Sequence, residues 1–297
     1  MAGGTPRLTV VVVTYNSAPH VEGCLSSLAR AAEGFQTWVR IVDNASGDRT
    51  AEIAEKVAHT LQRPSLRFEL VRADSNLGFT RAMNLALAGT EAEFFLWLNP
   101  DVRVEQDCLR ILRDVLEKDP RCGAVAPQLR NPDGTVQPSC RRFPRHRDLF
   151  FELFGLSRLF PRSPFFAAWK MGDFDHRHPA LVDQPQGACL LMRGEAVRDV
   201  GPLDERFVMF FSDVDYCRRL YQAGWHIRFE PAARATHEKG ASVRQNRRAM
   251  IRLSHADFAR YFDKWYPSVA YRPVNLLARV ALQAALPFRL LTLPSGR

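Results

Sequence analysis

The sequence predicts an α/β protein with a mostly parallel central sheet, and three observations predict it. Through residues 8–118, apolar runs rich in β-branched residues alternate with segments whose apolar positions recur at helical spacing. The first run, Leu8–Val13, is continuous rather than alternating, as in a strand covered on both faces. Four of the runs end in loops rich in polar side chains, where ligands of parallel α/β sheets gather.

Each element follows from its residues. After Leu8–Val13, Ser17 reads as the cap of a helix with Val21, Cys24, Leu25 and Leu28 on one face and Gly34 closing it. Thr37–Asp43 is a second strand, and Asp48 leads a helix that turns Ile53 and Val57 inward. Leu66–Arg72 is a third strand, followed by a short helix over Thr80–Ala88. Glu93–Asn99 is a fourth, and the next helix carries Leu109, Leu112 and Leu116. Beyond residue 130 the pattern loosens. Asn131–Gly134 is a turn, and residues 140–183 form an excursion rich in Arg, Pro and aromatics, with a short amphipathic helix near Leu149–Phe160. Gly187–Met192 is a strand, Ser212 to about Ala223 a helix, and His226–Glu230 a strand with His237 in the loop after it.

With 297 residues, 46% of them hydrophobic and 25% charged, the chain fills a core and is not disordered. Its net charge of +9 is local: 11 basic and 2 acidic residues lie from Lys239 on, and 30 of each sign precede it. Charge confined to one segment suits a docking surface rather than nucleic-acid coating. The six cysteines have no metal spacing and read as buried, reduced thiols, which suits a cytoplasmic protein. No secretory leader is expected at Leu8–Val13, and no run reaching the ~18–20 apolar residues of a membrane span.

The four loops are TYNS, DNASGD, NLGFTRAMN and NPDV. None is a GxGxxG turn or a P-loop, so a bound diphosphate needs a metal or basic side chains. In Asn99-Pro100-Asp101 the proline ends the strand, and Asp101 projects where a carboxylate can take a hard cation, although a lone Asp after a strand is more often a turn former or N-cap. Ser212 and Asp215 read as a capping box, which leaves Asp213 unexplained. In the first helical turn the dipole would keep Asp213 ionised, a weak but usable general base. His237 paired with Asp101 would make a mixed N/O site for Mn²⁺ or Mg²⁺.

These loops, with GACLLMR, VGPLDERFVMFFSDVDYCRR and AGWHIRFEPAARATHEKGAS in that order, resemble glycosyltransferase family 2, and within it the bacterial rhamnosyltransferase-like branch, over about residues 7–265. The resemblance implies a GT-A fold and an inverting transfer from a nucleotide-sugar, best dTDP-rhamnose with UDP-sugars next, to a saccharide or polyprenyl-linked acceptor. It implies base and ribose contacts from Thr14, Tyr15, Asn16 and Asp43, and a nucleotide loop with Asn76, Gly78, Asn84 and the phosphate-facing Arg81. Asn99 stands at the first position of the metal motif; Asp101 and His237 are the implied metal ligands; Gly187 and Ala188 underlie the donor sugar; Asp213 is the implied base. Ser212 departs from the usual Glu, which keeps a non-catalytic nucleotide-sugar-binding protein in view beside a sugar-1-phosphate nucleotidyltransferase.

The expected organisation is a domain over residues 1–265, with a nucleotide-binding half (1–130) and an acceptor half (131–265), then a basic helical tail over 266–297. In the tail, Val274–Leu286 is expected to be a helix with Asn275, Arg279 and Gln283 as a narrow polar stripe. Its apolar remainder suits an anionic membrane surface at the cytoplasmic face, its own domain, or a second copy in a homodimer.

Overall fold

The structure, a computed structural model, describes residues 7–238 and 246–291. The end of the THEKGAS segment and the tail's last residues, Thr292–Arg297, lie outside the described residues.

In chain order the elements are β1 (Leu8–Thr14), α1 (Val21–Ala31), β2 (Thr37–Asp43), α2 (Thr50–Leu61), β3 (Leu66–Arg72), α3 (Phe79–Leu87), β4 (Phe94–Leu98), β5 (Val102–Val104), α4 (Cys108–Lys118) and β6 (Cys122–Arg130). There follow β7 (Cys140–Arg141), α5 (His146–Leu153), α6 (Leu156–Leu159), β8 (Ala180–Leu181), β9 (Gln184–Pro185), β10 (Cys189–Arg193), α7 (Gly194–Val200) and α8 (Ser212–Gln222). The chain continues with β11 (His226–His237), α9 (Arg247–Trp265) and, after a 3₁₀ turn at Val269–Tyr271, α10 (Arg272–Leu291).

The main sheet has the order β3-β2-β1-β4-β10-β6-β11-β5, with β8 on the flank of β11. β3, β2, β1 and β4 pair in parallel, and β11 runs parallel to β6. β10 runs against both its neighbours, β4 and β6. The β-branched run of β1 explains its central place. Leu8, Val10 and Val12 enter the core beneath α1, α2 and α4; Val11 and Val13 enter the core beneath α3, α7 and α8. All six cysteines are buried and unbonded to one another.

Several local expectations change. Ser17 does not cap α1 with its hydroxyl; its carbonyl accepts from the His20 and Val21 amides, and the helix starts at Val21. Ser212 and Asp215 form no capping box. Phe211 occupies the N-cap with φ 61°, and Asp215 turns inward. β11 extends to His237, so this histidine ends a strand rather than sitting in a loop.

The C-terminal helices are part of the body. Leu149 of α5, Phe207, Phe211, Val214 of α8, Phe258 and Phe262 of α9, and Ala278 and Leu282 of α10 share one apolar cluster, which crosses residue 265. Its polar rivet is Asp215, which no solvent reaches. Its carboxylate meets Lys264 Nζ at 2.5 Å, Arg219 Nε at 3.0 Å and the Trp265 indole N–H at 2.9 Å. Removing a partner from a buried ion pair leaves charge uncompensated. Asp215→Ala is therefore expected to lose about 3 kcal/mol of unfolding free energy, read as a lowered urea midpoint with the slope unchanged.

Candidate active site

The carboxyl ends of β1, β2 and β3 carry loops that fasten to one another. Asp43, buried at the end of β2, accepts the Thr14 hydroxyl at 2.9 Å and both the Ser46 hydroxyl and the Ser46 amide. Asn16 takes a left-handed turn at φ 47°, which asparagine tolerates. Its amide donates to Ser46 Oγ and its Oδ1 accepts from the Gly47 amide, locking the first loop to the second. Asn44 links the second to the third through Asn76 Oδ1 at 3.1 Å and the Leu77 amide at 2.8 Å. Asn76 also accepts from the Gly78 amide. Gly78 stands at φ +80° with Val208 so close that a Cβ would fall 2.9 Å from its Cγ1. Tyr15 is exposed beside this shelf.

A cleft of about 220 Å³ opens beyond the shelf, at the ends of β4 and β11 and the starts of β10 and α8. It gathers Asn99, Asp101, Gly187, Ala188, Asp213 and His237, six of the residues singled out from sequence. The directions of the strands account for the meeting. β4 ends at Leu98 opposite Cys189, where antiparallel β10 begins, and the Asn99 amide donates to the Ala188 carbonyl at 2.8 Å. β11 ends with His237 opposite Val102, one residue after Asp101.

Arg81 and Asn84 are not brought to this cleft. Arg81 pairs with Glu205 at 3.2 Å on the outer surface, since α3 turns that face towards the segment after α7. Asn84 clamps the Leu203 backbone, donating to its carbonyl and accepting from its amide, and so holds that segment against α3.

His237 Nδ1 lies 2.7 Å from Gln137 Oε1, an acceptor, so Nδ1 carries a proton, and the neutral ring presents its lone pair at Nε2. Nε2 faces Asp101 Oδ1 at 3.6 Å. An imidazole oriented by its other nitrogen and set beside a carboxylate is a fit donor pair for Mn²⁺ or Mg²⁺. Among the described residues no cluster of three or more His, Cys, Asp or Glu gathers for a metal. Two protein ligands suit a cation whose other positions go to phosphate oxygens and water.

Asp213 is held from three sides. Oδ2 accepts the Gly187 amide and the Gln184 side-chain amide, each at 3.1 Å, and Oδ1 accepts the Val214 amide at 2.9 Å. A Cβ on Gly187 would come within 3.1 Å of the Asp213 Cβ, so glycine permits this approach. Burial lifts the carboxyl above its ordinary range, and the three hydrogen bonds offset part of the rise. The expectation that the helix end holds the Asp213 carboxyl down is therefore not met, since burial raises it. Phe211 adds backbone strain at the same corner, on the order of 1–3 kcal/mol, and its ring is pinned by Phe258 at 4.6 Å. Ser212 is buried in the cleft wall. Gln137 and Gln184 orient the two key side chains, and no spacing or motif marks either in the sequence.

Such a sheet, with a carboxylate on α8 facing a His–Asp pair across a polar cleft, is the framework of a nucleotide-sugar-dependent glycosyltransferase of the GT-A type. The model of Glycosyl transferase family 2 matches residues 9–174, over half the chain, and the chain belongs to that family. It is 34% identical, over 84% of its length and 82% of the relative's, to the N-acetylglucosaminyl-diphospho-decaprenol L-rhamnosyltransferase of Mycobacterium tuberculosis. It is 25% identical to the poly-beta-1,6-N-acetyl-D-glucosamine synthase of Staphylococcus aureus, over 76% of this chain and 48% of that one. Among solved structures, the mannosyltransferase PcManGT from Pyrobaculum calidifontis, in complex with GDP-Man and Mn²⁺, matches with a TM-score of 0.59 at 20% identity, over 99% of this chain and 77% of that one. S. aureus TarS 1-349 in complex with UDP-GlcNAc matches with a TM-score of 0.52 at 17% identity, over 96% and 82%. At these identities the structural matches show the fold.

A base acts in its ionised form, so a raised pKa moves the acid limb of the rate upward in pH. The kcat profile is expected to fall at a pH above the ~3.9 of an ordinary aspartate, and Asp213→Asn is expected to lower kcat by about 10²–10⁴ while donor affinity is kept. Turnover against pH, with donor binding by calorimetry, checks both.

Proposed function

We propose that this chain is an inverting rhamnosyltransferase that carries rhamnose from dTDP-rhamnose to a saccharide hydroxyl on a polyprenyl diphosphate, in the building of cell-surface polysaccharide. One observation carries the reaction class: Asp213, on α8, shares one cleft with the Asp101–His237 pair. With Asp101 and His237 given to the cation, Asp213 is left as the carboxylate that takes the acceptor proton in a single in-line displacement. The sugar and its carrier are drawn from the M. tuberculosis relative, whose name states both.

The chemistry follows from the geometry. The acceptor hydroxyl gives its proton to the Asp213 carboxylate, and its oxygen attacks the anomeric carbon. The bond from that carbon to the diphosphate breaks, and its electron pair leaves on the nucleoside diphosphate. Gln184 and the Gly187 amide hold the carboxylate in place while it takes the proton. A divalent cation, when bound by Asp101 and His237, supplies positive charge for the departing diphosphate. The shelf formed by Thr14, Tyr15, Asn16, Asp43, Asn76 and Gly78 is the seat for base and ribose.

The same reading seats the protein on an anionic membrane at the cytoplasmic face. α10 packs on α9 through Ala278 and Leu282; beside them Asn275 donates to the Tyr266 carbonyl at 3.0 Å and accepts from His146 Nε2 at 2.7 Å, and Arg279 pairs with Asp263 at 2.6 Å on the exposed edge. Leu276, Leu277, Val280, Phe288 and Leu291 face outward and exposed. The helical segment Val269–Leu291 is 23 residues long and apolar enough to cross a membrane by length and composition, because it continues through Pro287 past the expected end. Anchored to α9 along one side, it is placed to lie in an interface, and the positive charge of its segment complements an anionic leaflet.

Two experiments test this. In a panel of dTDP-rhamnose, UDP-hexoses and GDP-mannose, nucleoside-diphosphate release is expected with dTDP-rhamnose and is expected to stop in excess chelator; release from another donor alone displaces the sugar assignment. Full-length protein is expected to co-sediment with phosphatidylglycerol vesicles, and Leu276→Gln with Val280→Gln to stay in the supernatant. Equal sedimentation of both removes the membrane seat, and a dimer broken by the same pair would assign that face to a second copy.

A further inference from the structure

We propose that a second pocket, beside the cleft and lined by Arg142, Arg145, Arg147 and Arg218, binds the diphosphate of the lipid-linked acceptor, with the prenyl chain running over the aromatic residues next to it. This rests on the acceptor class proposed above and gives it a location. The pocket has a volume of about 400 Å³ and lies between the excursion and α8.

Its charge is unbalanced where it matters. Arg142 pairs with Asp173, and Arg147 stands 3.8 Å from Asp148. Among the described residues, neither Arg145 nor Arg218 forms an ion pair with a carboxylate. The neighbouring Arg219 shows the contrast, since it is neutralised by Asp215 at 3.0 Å. Arg218 is half-buried and held in position by rings: Trp265 at 4.6 Å, Tyr266 at 5.1 Å, Phe143 at 5.6 Å, and the Tyr261 hydroxyl, which accepts from Nη1 at 2.6 Å. Aromatic faces stabilise a guanidinium without consuming its charge. A fixed, uncompensated fork of this kind is suited to phosphate oxygens.

The pocket is joined to the chemistry. Asp213 and Arg218 lie on the same helix, α8, about 7.5 Å apart along its axis and on different faces. Asp183, in the pocket wall, accepts the Phe143 amide, and the next residue, Gln184, donates to Asp213. The outer rim is apolar. Arg147 covers the ring of Phe165 at 5.0 Å, Phe165 meets Phe166 at 5.1 Å, and Phe166 meets Phe160 at 5.2 Å. Phe165 and Phe160 are exposed, as are Phe154 and Leu159 nearby in sequence. A soluble nucleotide has no use for such a rim; a hydrocarbon attached to a diphosphate does.

The test uses the full chain with its donor cleft filled by nucleoside diphosphate and Mn²⁺, titrated with farnesyl diphosphate. Saturable binding is expected, weakened about tenfold or more by Arg218→Gln and by the surface change Arg145→Gln, each equivalent to ~1.4 kcal/mol. Farnesol and phosphatidylglycerol micelles are expected not to compete. Equal binding by wild type and both variants, equal binding of farnesol, or competition by phosphatidylglycerol at the same strength would overturn the assignment. Arginine-dependent binding without sugar transfer to any prenyl-linked acceptor would leave the pocket standing and remove the function. Transfer to such an acceptor with its KM unchanged in both variants would do the reverse.

Discussion

The site depends on the direction of β10, which runs against both of its neighbours. In a wholly parallel sheet every strand presents its carboxyl end to the cleft and its amino end to the far side. β10 is antiparallel to β4 and β6, so its start, preceded by Gly187 and Ala188, lies where β4 ends. That reversal puts the Gly187 amide within reach of Asp213, and the Ala188 carbonyl against Asn99. The acceptor half of the chain is therefore stitched into the sheet of the nucleotide half rather than laid beside it. The proposed base, the two candidate metal ligands and the floor between them are held by a common hydrogen-bonded framework.

What surrounds the cleft shows how charge is managed as the chain leaves water. Asp215 and Asp213 are two residues apart on one helix and meet opposite fates. Asp215 is enclosed and matched by Lys264 and Arg219, so its charge is spent on holding α9 to α8. Asp213 takes its hydrogen bonds from neutral donors, with the Arg141 guanidinium near enough to interact with it electrostatically, and is left with a proton affinity raised by burial. The two roles differ because a helix turns about 100° per residue, so these side chains face different neighbours.

The first half of the fold was legible because local signals agreed there. Continuous β-branched runs, helical spacing and Asp- and Asn-rich loops all point to the same parallel arrangement, and β1 to β4 bear it out. The motifs around Asn99, Gly187 and Asp213 converge on one cleft, as their order along the chain implied. Three things were not legible. The direction of β10 is set by pairing between segments nearly a hundred residues apart, and strand residues carry no mark of direction. Proximity in sequence suggested a phosphate contact for Arg81, but α3 points it at Glu205 instead. The polar stripe of α10 was visible, but not its partner. Asn275 satisfies the Tyr266 carbonyl and Arg279 pairs with Asp263 at the exposed edge, while Ala278 and Leu282 fill the face against α9.

The burial of every cysteine has a practical side. Desolvation pushes the Cys122 and Cys140 thiols up to about 12 and raises those of Cys24 and Cys217, and a hydrogen bond with Cys189 together with burial raises that of Cys108, so little nucleophilic thiolate forms at these positions at neutral pH. Buried as they are, the native thiols are poor targets for maleimides and alkylating agents. A cysteine introduced at an exposed position, such as Leu276 on the tail helix or Phe154 on the excursion, would become the preferred point for attaching a fluorophore or spin label. Depth in a bilayer, or the distance between excursion and tail helix, then becomes measurable without first stripping the protein of its own sulfur.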